Sequence, residues 1–546
     1  MSFNLIDQPW IRVRYQDGSV TEVSLSTLFQ DAEQIIQITG ELPSQDFAVL
    51  RLLLAILYRS FDSEFTEDDW KAWWQEGLPL DEIGRYLKQV EDRFDLLHPK
   101  TPFFQVPDLQ TAKGENKDVS LLVFDVPPNK RLFSMRAGSG LERLSFAEAT
   151  RWIVHTQAFD YSGIKSGAVG DSRVKGGKGY PIGVGAAGRL GGVSIEGKNL
   201  RETLLLNLVK PAERDDDFGD DDLPPWEKPH LGPAEESEGR KPTGPVDLYT
   251  WQSRRIRLFH DETGVIRCLV SNGDKLETPD LFTKENLTAW RRNPTFEKSL
   301  GRAQVFTPVQ HNPARLFWRG ISALLPKKTP PAALAKAGRE TFLPAVIEWL
   351  YKVQDELPRD AYVSLRASGV LYPDSQNSTV GEIFDDRLLV SLALLSQQDG
   401  ELGTLAENAV VQAEGAVQAL KNLAKDLVVA AGGDGDGQRQ RSDETGYAAL
   451  DRPYRRWLSG LDLNTDIEEA RKTWRTECRR IVVGLANELL DTAGPAAWKG
   501  RERDGYLINS SLAERKFYQQ IARVFGQQNS GTEDEGPHGS GGNDDE

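Results

Sequence analysis

Residues 372–395 read YPDSQNSTVGEIFDDRLLVSLALL, and the reading of this stretch decides the fold. Before it, residues 362–372 alternate like a strand. Pro373, Asp374, Ser375 and Asn377 are turn formers, so the PDSQNS segment projects Gln376 at its tip. After it, residues 380–395 show helical spacing, as do 405–431, 454–461, 467–490 and 512–525. Asp385 and Asp386 then fall early in a helix, where carboxylates complement the dipole. Residues 432–446 read as a long polar connector. The expected fold class is α+β, with a large mixed α/β N-terminal domain over 1–372 and a C-terminal four-helix bundle over 373–526.

Working upstream, residues 3–23 alternate around Asp17-Gly18, the signal of a hairpin. Residues 46–60, DFAVLRLLLAILYRS, are apolar nearly all round and predict a buried helix. Further helices are expected over 67–74, 79–94, 314–325 and 344–357, a strand over 121–125, and paired strands over 247–270. A helix over 145–159 starts with Ser145 as N-cap and Glu148 three residues on. It leads into residues 161–197, YSGIKSGAVGDSRVKGGKGYPIGVGAAGRLGGVSIEG, which hold twelve glycines. Lys165, Arg173, Lys175, Lys178 and Arg189 are interspersed, against only Asp171 and Glu196. Exposed backbone N–H groups with interleaved cations form an anion-binding concavity, so this stretch reads as backbone that touches a polyanion. The plainer reading is a long surface loop.

A chain of 546 residues has room for two to four domains, and a net charge of −16 argues at first against nucleic acid. The acid is concentrated, however. Residues 213–222 hold seven carboxylates against Arg214 alone, and residues 527–546 hold six with no Lys or Arg. Such blocks are usually solvated, so 211–244 is expected to be an acidic, partly disordered insert and 527–546 an acidic disordered tail. The remainder is near neutral and can carry a basic face. Two cysteines and six scattered histidines exclude a disulfide framework and a standard zinc site, and no metal or cofactor is expected. No basic start followed by a long apolar run opens the chain, and no apolar run reaches the ~18 residues of a membrane span, so a soluble cytoplasmic protein is expected.

Gly183-x-Gly185-x-x-Gly188 matches the dinucleotide fingerprint as a string, but more glycine and a strand-like segment follow it where a helix is required. The run ending at Gly179 fails the phosphate-loop pattern for want of a Ser or Thr. There is no H-E-x-x-H and no G-x-S-x-G, no residue is assigned a catalytic role, and the chain is expected not to be an enzyme. Lys130, Phe133, Arg136 and Arg143 lie in a polar loop; cations around an aromatic ring suit a single strand whose base stacks on the ring, unless Phe133 is tucked into the core. Arg471, Arg475 and Arg479 form a stripe along one helix face, either paired with Glu468, Glu469 and Glu477 or tracking phosphates.

With these parts placed, the chain resembles the CasA family, the large subunit of the type I-E CRISPR Cascade surveillance complex. The resemblance is carried by FNLIDQPWIRV at 3–13, by DYSGIKSG at 160–167, by the 372–395 stretch and by the helical end of the chain. It implies a protein that recognises the protospacer-adjacent motif (PAM) in double-stranded DNA from the minor groove. It further implies a subunit that starts strand separation for R-loop formation and docks the helicase–nuclease. The implied partners are the 5′ handle of the guide RNA (crRNA), target DNA and the other Cascade subunits. Carried over by motif, the glycine loop falls at Ser162 and Gly163 ahead of Lys165, and the PAM-contacting lysine at Lys284 or, as second choice, Lys275. The strand-opening wedge falls at Ser375, Gln376 and Asn377, and the RNA-handle loop at Lys130, Phe133 and Arg136. Some relatives carry a four-cysteine zinc site; Cys268 alone cannot build one. A metal-dependent nuclease and a purely structural RNA-binding scaffold are the rival classes.

Overall fold

The computed structural model describes residues 1–61, 65–126, 141–210, 221–310, 315–325, 341–358, 360–372, 380–395, 400–503 and 506–526. It divides into two compact units, Met1–Gly400 and Glu401–Glu546.

In the first unit, β1 (Ile11–Tyr15) pairs antiparallel with both β2 (Val20–Val23) and β3 (Ile35–Ile38), and Gly18 turns the first hairpin at φ 85°. Helix α1 (Pro43–Ser60) is buried on every side from Ser44 to Tyr58, as its nearly unbroken apolar sequence requires. The charges it carries are therefore paired inside. Arg51 Nη1 lies 2.8 Å from Glu285 Oε2, and Asp46 Oδ2 accepts from Arg366 Nη2 at 2.9 Å. Burial pushes the Asp46 carboxyl up to about 6 against the pull of Arg366. Helix α2 (Phe146–Phe159) packs on α1, and the Ser145 hydroxyl accepts from Glu148 N at 3.1 Å, the expected cap.

Beyond α2 come the short pair β4 (Lys165–Ser166) and β5 (Lys178–Gly179), then β6 (Gly192–Glu196). The long hairpin β7 (Arg254–His260) and β8 (Val265–Asn272) follows the short helix Pro245–Tyr249. Strands β9 (Tyr362–Leu371) and β10 (Glu382–Ser391) pair antiparallel over ten residues, in the sheet order β10-β9-β6.

Strand β10 corrects the helix expected over 380–395, of which only Leu392–Leu395 is helical. Asp385 therefore caps nothing; it accepts from Arg366 Nε at 2.6 Å across the sheet and from Arg387 Nη1 at 2.9 Å on its own strand. Short apolar runs are compatible with either period, and here ladder pairing with β9 decides. Two smaller expectations also fail: 121–125 is no strand, Leu121 ending the 3-10 turn Val119–Leu121 and 122–125 being irregular, and Phe317–Ala323 is a 3-10 helix.

The acidic insert also departs from expectation. Residues 211–220 lie outside the described residues, but from Asp221 the chain is packed. The Asp222 carboxylate is buried and accepts from Val246 N at 3.0 Å and Asp247 N at 2.9 Å, capping the Pro245–Tyr249 helix. Trp226 is buried and donates to the Tyr86 hydroxyl at 2.7 Å; Glu227 pairs with Arg59 at 2.7 Å. The acids at the end of the run serve as internal acceptors, which a composition average hides. The tail over 527–546 lies outside the described residues.

The second unit is built on α3 (Glu401–Ala431), which packs against α4 (Asp436–Leu458), α5 (Ile467–Asp491) and α6 (Ser510–Gly526) in a bundle. The connector expected over 432–446 is short: α4 starts at Asp436, after Gly432 and Gly435 reverse the chain at φ 113° and 77°. Its sequence looks structureless because little of it faces the bundle: Ser442, Gly446, Tyr447, Leu450, Tyr454 and Leu458 form one buried stripe.

Candidate nucleic-acid interface

Asp160, the residue that ends α2, organises the glycine-rich stretch. Its carboxylate receives Lys165 Nζ at 2.6 Å and Arg254 Nε, all three being buried. Burial alone would raise this carboxyl, but Lys165 and Arg254 outweigh it and hold it below the ordinary range. Burial in turn lowers the Lys165 ammonium, whose Nζ lies 4.0 Å from the Tyr161 ring centroid. Arg254 also donates to Tyr161 O at 3.1 Å and to Gly183 O at 2.7 Å, tying the start of the stretch to its middle.

These contacts change the reading of the sequence candidates. Lys165 is an internal ion-pair partner and presents no cation to solvent; Ser162 beside it is buried. Gly163 is half-buried, and a Cβ there would meet only the Tyr161 ring at 3.5 Å. Most of the glycines serve packing within the protein. A Cβ at Gly185 would sit 2.5 Å from Ala158 C, and one at Gly192 would sit 2.1 Å from the Phe47 ring.

The open backbone lies elsewhere, at Gly176 and Gly177. These two residues turn the chain between the bridged Lys175 and Lys178, at the start of β5, with φ 59° and 73°, the left-handed pair that a two-residue hairpin turn requires. Lys175 and Lys178 flank them and exchange backbone hydrogen bonds at 3.1 Å. All four residues are exposed, nothing lies within 4 Å of a Cβ at either glycine, and neither lysine has an ion-pair partner among the described residues. The hairpin is held from below. Arg173 bridges Asp171, Glu235 at 3.0 Å and Gly273 O at 3.0 Å, and Asn272 Nδ2 donates to Tyr180 O at 2.6 Å. The tip is therefore basic, bare backbone on a fixed base. Sequence reasoning named both lysines without a role of their own, and the Lys-Gly-Gly-Lys pattern is the signal in the sequence for this exposed turn.

The other candidates are dispersed. Lys284 is half-buried at the end of the short turn Leu281–Thr283, next to buried Glu285. Lys275 is half-exposed and ion-paired with Glu277. Lys130, Phe133, Arg136, Ser375, Gln376 and Asn377 lie outside the described residues; Arg143 is exposed and paired with Asp261. At the turn end of the β9–β10 ladder, a cleft of about 330 Å³ is lined by Arg189, Arg291, Asn293, Thr307, Gln310 and Tyr372 among others, with no carboxylate.

Within the bundle, α5 buries Trp474, Cys478, Val482 and Ala486 at four-residue spacing. Arg471, Arg475 and Arg479 lie one turn-step beside that seam and line a groove of about 280 Å³ with Lys472 and Phe525. Glu468 holds Arg471, Glu469 lies 3.6 Å from Lys472, and Glu477 holds Arg480 at 2.7 Å. Arg475 and Arg479 have no ion-pair partner among the described residues. Among those residues no cluster of His, Cys, Asp and Glu could hold a metal ion, and no helix is long and apolar enough to cross a membrane. Cys268 and Cys478 are free and buried, each thiol pushed up to about 12 by burial.

Comparison with known proteins gives this arrangement its class. The family model described as CRISPR-associated protein Cse1 matches residues 4–485, and the chain belongs to that family. CRISPR-associated protein CasA/Cse1 of Thermus thermophilus is 30% identical over 445 residues, 81% of this chain and 80% of that one. The crystal structure of Thermobifida fusca Cse1 has a TM-score of 0.87 at 43% identity, over 96% of this chain and 98% of that one. A structure titled CRISPR RNA-guided surveillance complex shares the fold, with a TM-score of 0.61 at 16% identity over 96% of this chain and 99% of that one.

Proposed function

We propose that this chain is the large, non-enzymatic subunit of an RNA-guided DNA surveillance complex and that it reads the PAM from the minor groove. Family membership supports the role in the complex. The observation that carries the DNA reading is the exposed Lys175-Gly176-Gly177-Lys178 turn on its braced hairpin. A minor groove about 6 Å wide admits backbone without Cβ, and flanking cations meet the phosphates on either rim. The groove's donor–acceptor code is degenerate, so such a reader tolerates several motifs.

In this reading the Gly176–Gly177 turn takes the role that the family motif gave to Ser162 and Gly163, and Lys165 braces it from inside. Lys275, near the hairpin base, and Lys284 remain the candidate PAM lysines. Gln376, with Ser375 and Asn377, wedges into the first base-pair step; opening one step costs about 1.4 kcal/mol, within reach of an inserted side chain. The cleft at the turn end of β9 and β10, with Arg189 and Arg291, supplies cations to the separated strand. Lys130, Phe133 and Arg136 engage the 5′ handle of the crRNA, the other Cascade subunits complete the assembly, and the helicase–nuclease docks on it after R-loop formation. Arg475 and Arg479 track DNA phosphates.

The deciding experiment is binding of the assembled complex to duplexes that differ only at the PAM. Discrimination abolished or strongly reduced on Gly177→Val, with assembly unimpaired, is expected. Equal affinity of the wild type for all flanks would leave a structural scaffold as the role.

A further inference from the structure

The acidic tail begins where the basic groove of the bundle ends. Phe525, the penultimate residue of α6, lines the groove together with Arg471, Arg475 and Arg479, and residues 527–546 follow two positions later. Those twenty residues hold Glu533, Asp534, Glu535, Asp544, Asp545 and Glu546 and no Lys or Arg. The groove is their electrostatic complement. Its one carboxylate, Glu468, is tied to Arg471, while Arg475 and Arg479 have no ion-pair partner among the described residues. Arg471 Nε is buried with no hydrogen-bond partner there.

The distances fit. Arg471 and Arg479 are eight residues apart on a helix, roughly 12 Å at 1.5 Å per residue. Glu533 is eight positions beyond Phe525, and extended chain reaches at most about 3.3–3.6 Å per residue, so the first acidic trio has a reach of roughly 26–29 Å. The intervening residues 526–532, GQQNSGT, are small or polar and uncharged, a composition suited to a tether. A tethered acidic segment meets the arginines at an effective concentration in the millimolar range, so even weak pairing gives substantial occupancy.

We infer that residues 527–546 seat on the Arg471–Arg475–Arg479 groove when no nucleic acid occupies it, so that the tail competes with DNA phosphates for the same arginines. The competition rests on the phosphate-tracking reading of the stripe proposed above; the seating does not. Its consequence is a filter. DNA that touches only the bundle must displace the tail, whereas DNA engaged elsewhere as well displaces it at little cost, and non-target binding is the more strongly suppressed.

The test uses the full chain, a chain ending at residue 526, and a labelled peptide with the sequence of residues 527–546. The peptide is expected to bind the shortened chain saturably in fluorescence anisotropy. Binding should weaken steeply between about 50 and 300 mM salt as screening shortens the Debye length. It should fall at least about fivefold in Arg475→Ala/Arg479→Ala, the removal of two charge-assisted pairs. No saturable binding, or equal binding to the double variant, overturns the inference. For a duplex lacking the target, the shortened chain should bind about three- to tenfold more tightly than the full chain at low salt, because no seated tail has to be displaced from the arginines. Full chain carrying Glu533→Gln/Asp534→Asn/Glu535→Gln should move toward the shortened chain, and the gain should vanish in the double arginine variant. A gain that persists there shows that the tail acts through net charge alone and overturns the seating. Peptide binding that duplex cannot displace would uphold the seating and refute the phosphate reading of the stripe, so the two fail separately.

Discussion

The Lys165 ammonium lies 2.6 Å from Oδ2 of Asp160, five residues earlier, and Arg254 donates to the same oxygen. This buried contact pins the entry of the glycine-rich stretch beneath the exposed turn, and so a lysine that looks like a DNA contact serves as its internal brace.

Lys165→Ala should therefore lower stability and leave the DNA salt dependence unchanged. Breaking a buried pair costs about 3–5 kcal/mol when the other charge is stranded; Arg254 remains on Asp160, so about 1–3 kcal/mol is expected here. Thermal unfolding gives the first quantity and a binding series in salt the second. A log–log slope reduced by about one would move Lys165 to a phosphate.

Lys175→Ala/Lys178→Ala should behave in the opposite way. Both side chains are exposed and without ion-pair partners among the described residues, so the unfolding temperature should barely change. Affinity for PAM duplex should drop, and the salt slope should decrease by about 0.9 for each phosphate no longer neutralised. An unchanged slope would detach the turn from DNA.

His155 supplies a pH dependence. It is wholly buried beside Ser44, 2.9 Å from the hydroxyl, and burial pulls its imidazole down to about 3. In the unfolded chain it protonates near about 6.5. The unfolded state thus binds the proton first. The stability from this residue is complete above pH ~6.5 and is lost as pH falls toward ~3, at about 1.4 kcal/mol per unit. In His155→Gln, denaturant unfolding between about pH 7 and 5 should lose one proton of this dependence. An imidazole resonance of His155 that titrates near about 6.5 in the folded protein would contradict the assignment.

The insert makes a packing prediction. Trp226→Ala should cost about 3–5 kcal/mol, the range for deleting a buried aromatic. Asp222→Ala should cost about 1–3 kcal/mol by stranding two buried N–H groups. Wild-type thermal stability in both variants would show that residues 221–244 add nothing to the packing of the fold.

Gln376→Ala separates recognition from opening. It should slow R-loop formation on intact duplex, and a target already unpaired beside the PAM should restore the rate, because the unstacking cost is removed beforehand. Gly177→Val should not be rescued by that target. Wild-type opening of intact duplex by Gln376→Ala would end the wedge assignment.

Local patterns were enough to establish several elements. The sequence by itself determined α1 as an all-round buried helix, Ser145 as a cap, the Gly18 hairpin and the bundle helices α3, α5 and α6, because periodicity and capping are local properties. The family likeness was legible in the same way, from contiguous motifs. Three matters were decided only by tertiary structure. Strand β10 takes its state from ten residues of pairing with β9, distant contacts that no window of sequence contains. Asp222, Trp226 and Glu227 are structural because Val246, Asp247, Tyr86 and Arg59 meet them, whatever the composition around them. Charge and glycine content marked residues 161–197 as a candidate anion site, but which cation faces solvent depends on which carboxylate reaches it first. Asp160 reaches Lys165 and no described carboxylate reaches Lys175 or Lys178, a distinction set by the path of the folded chain and invisible to spacing.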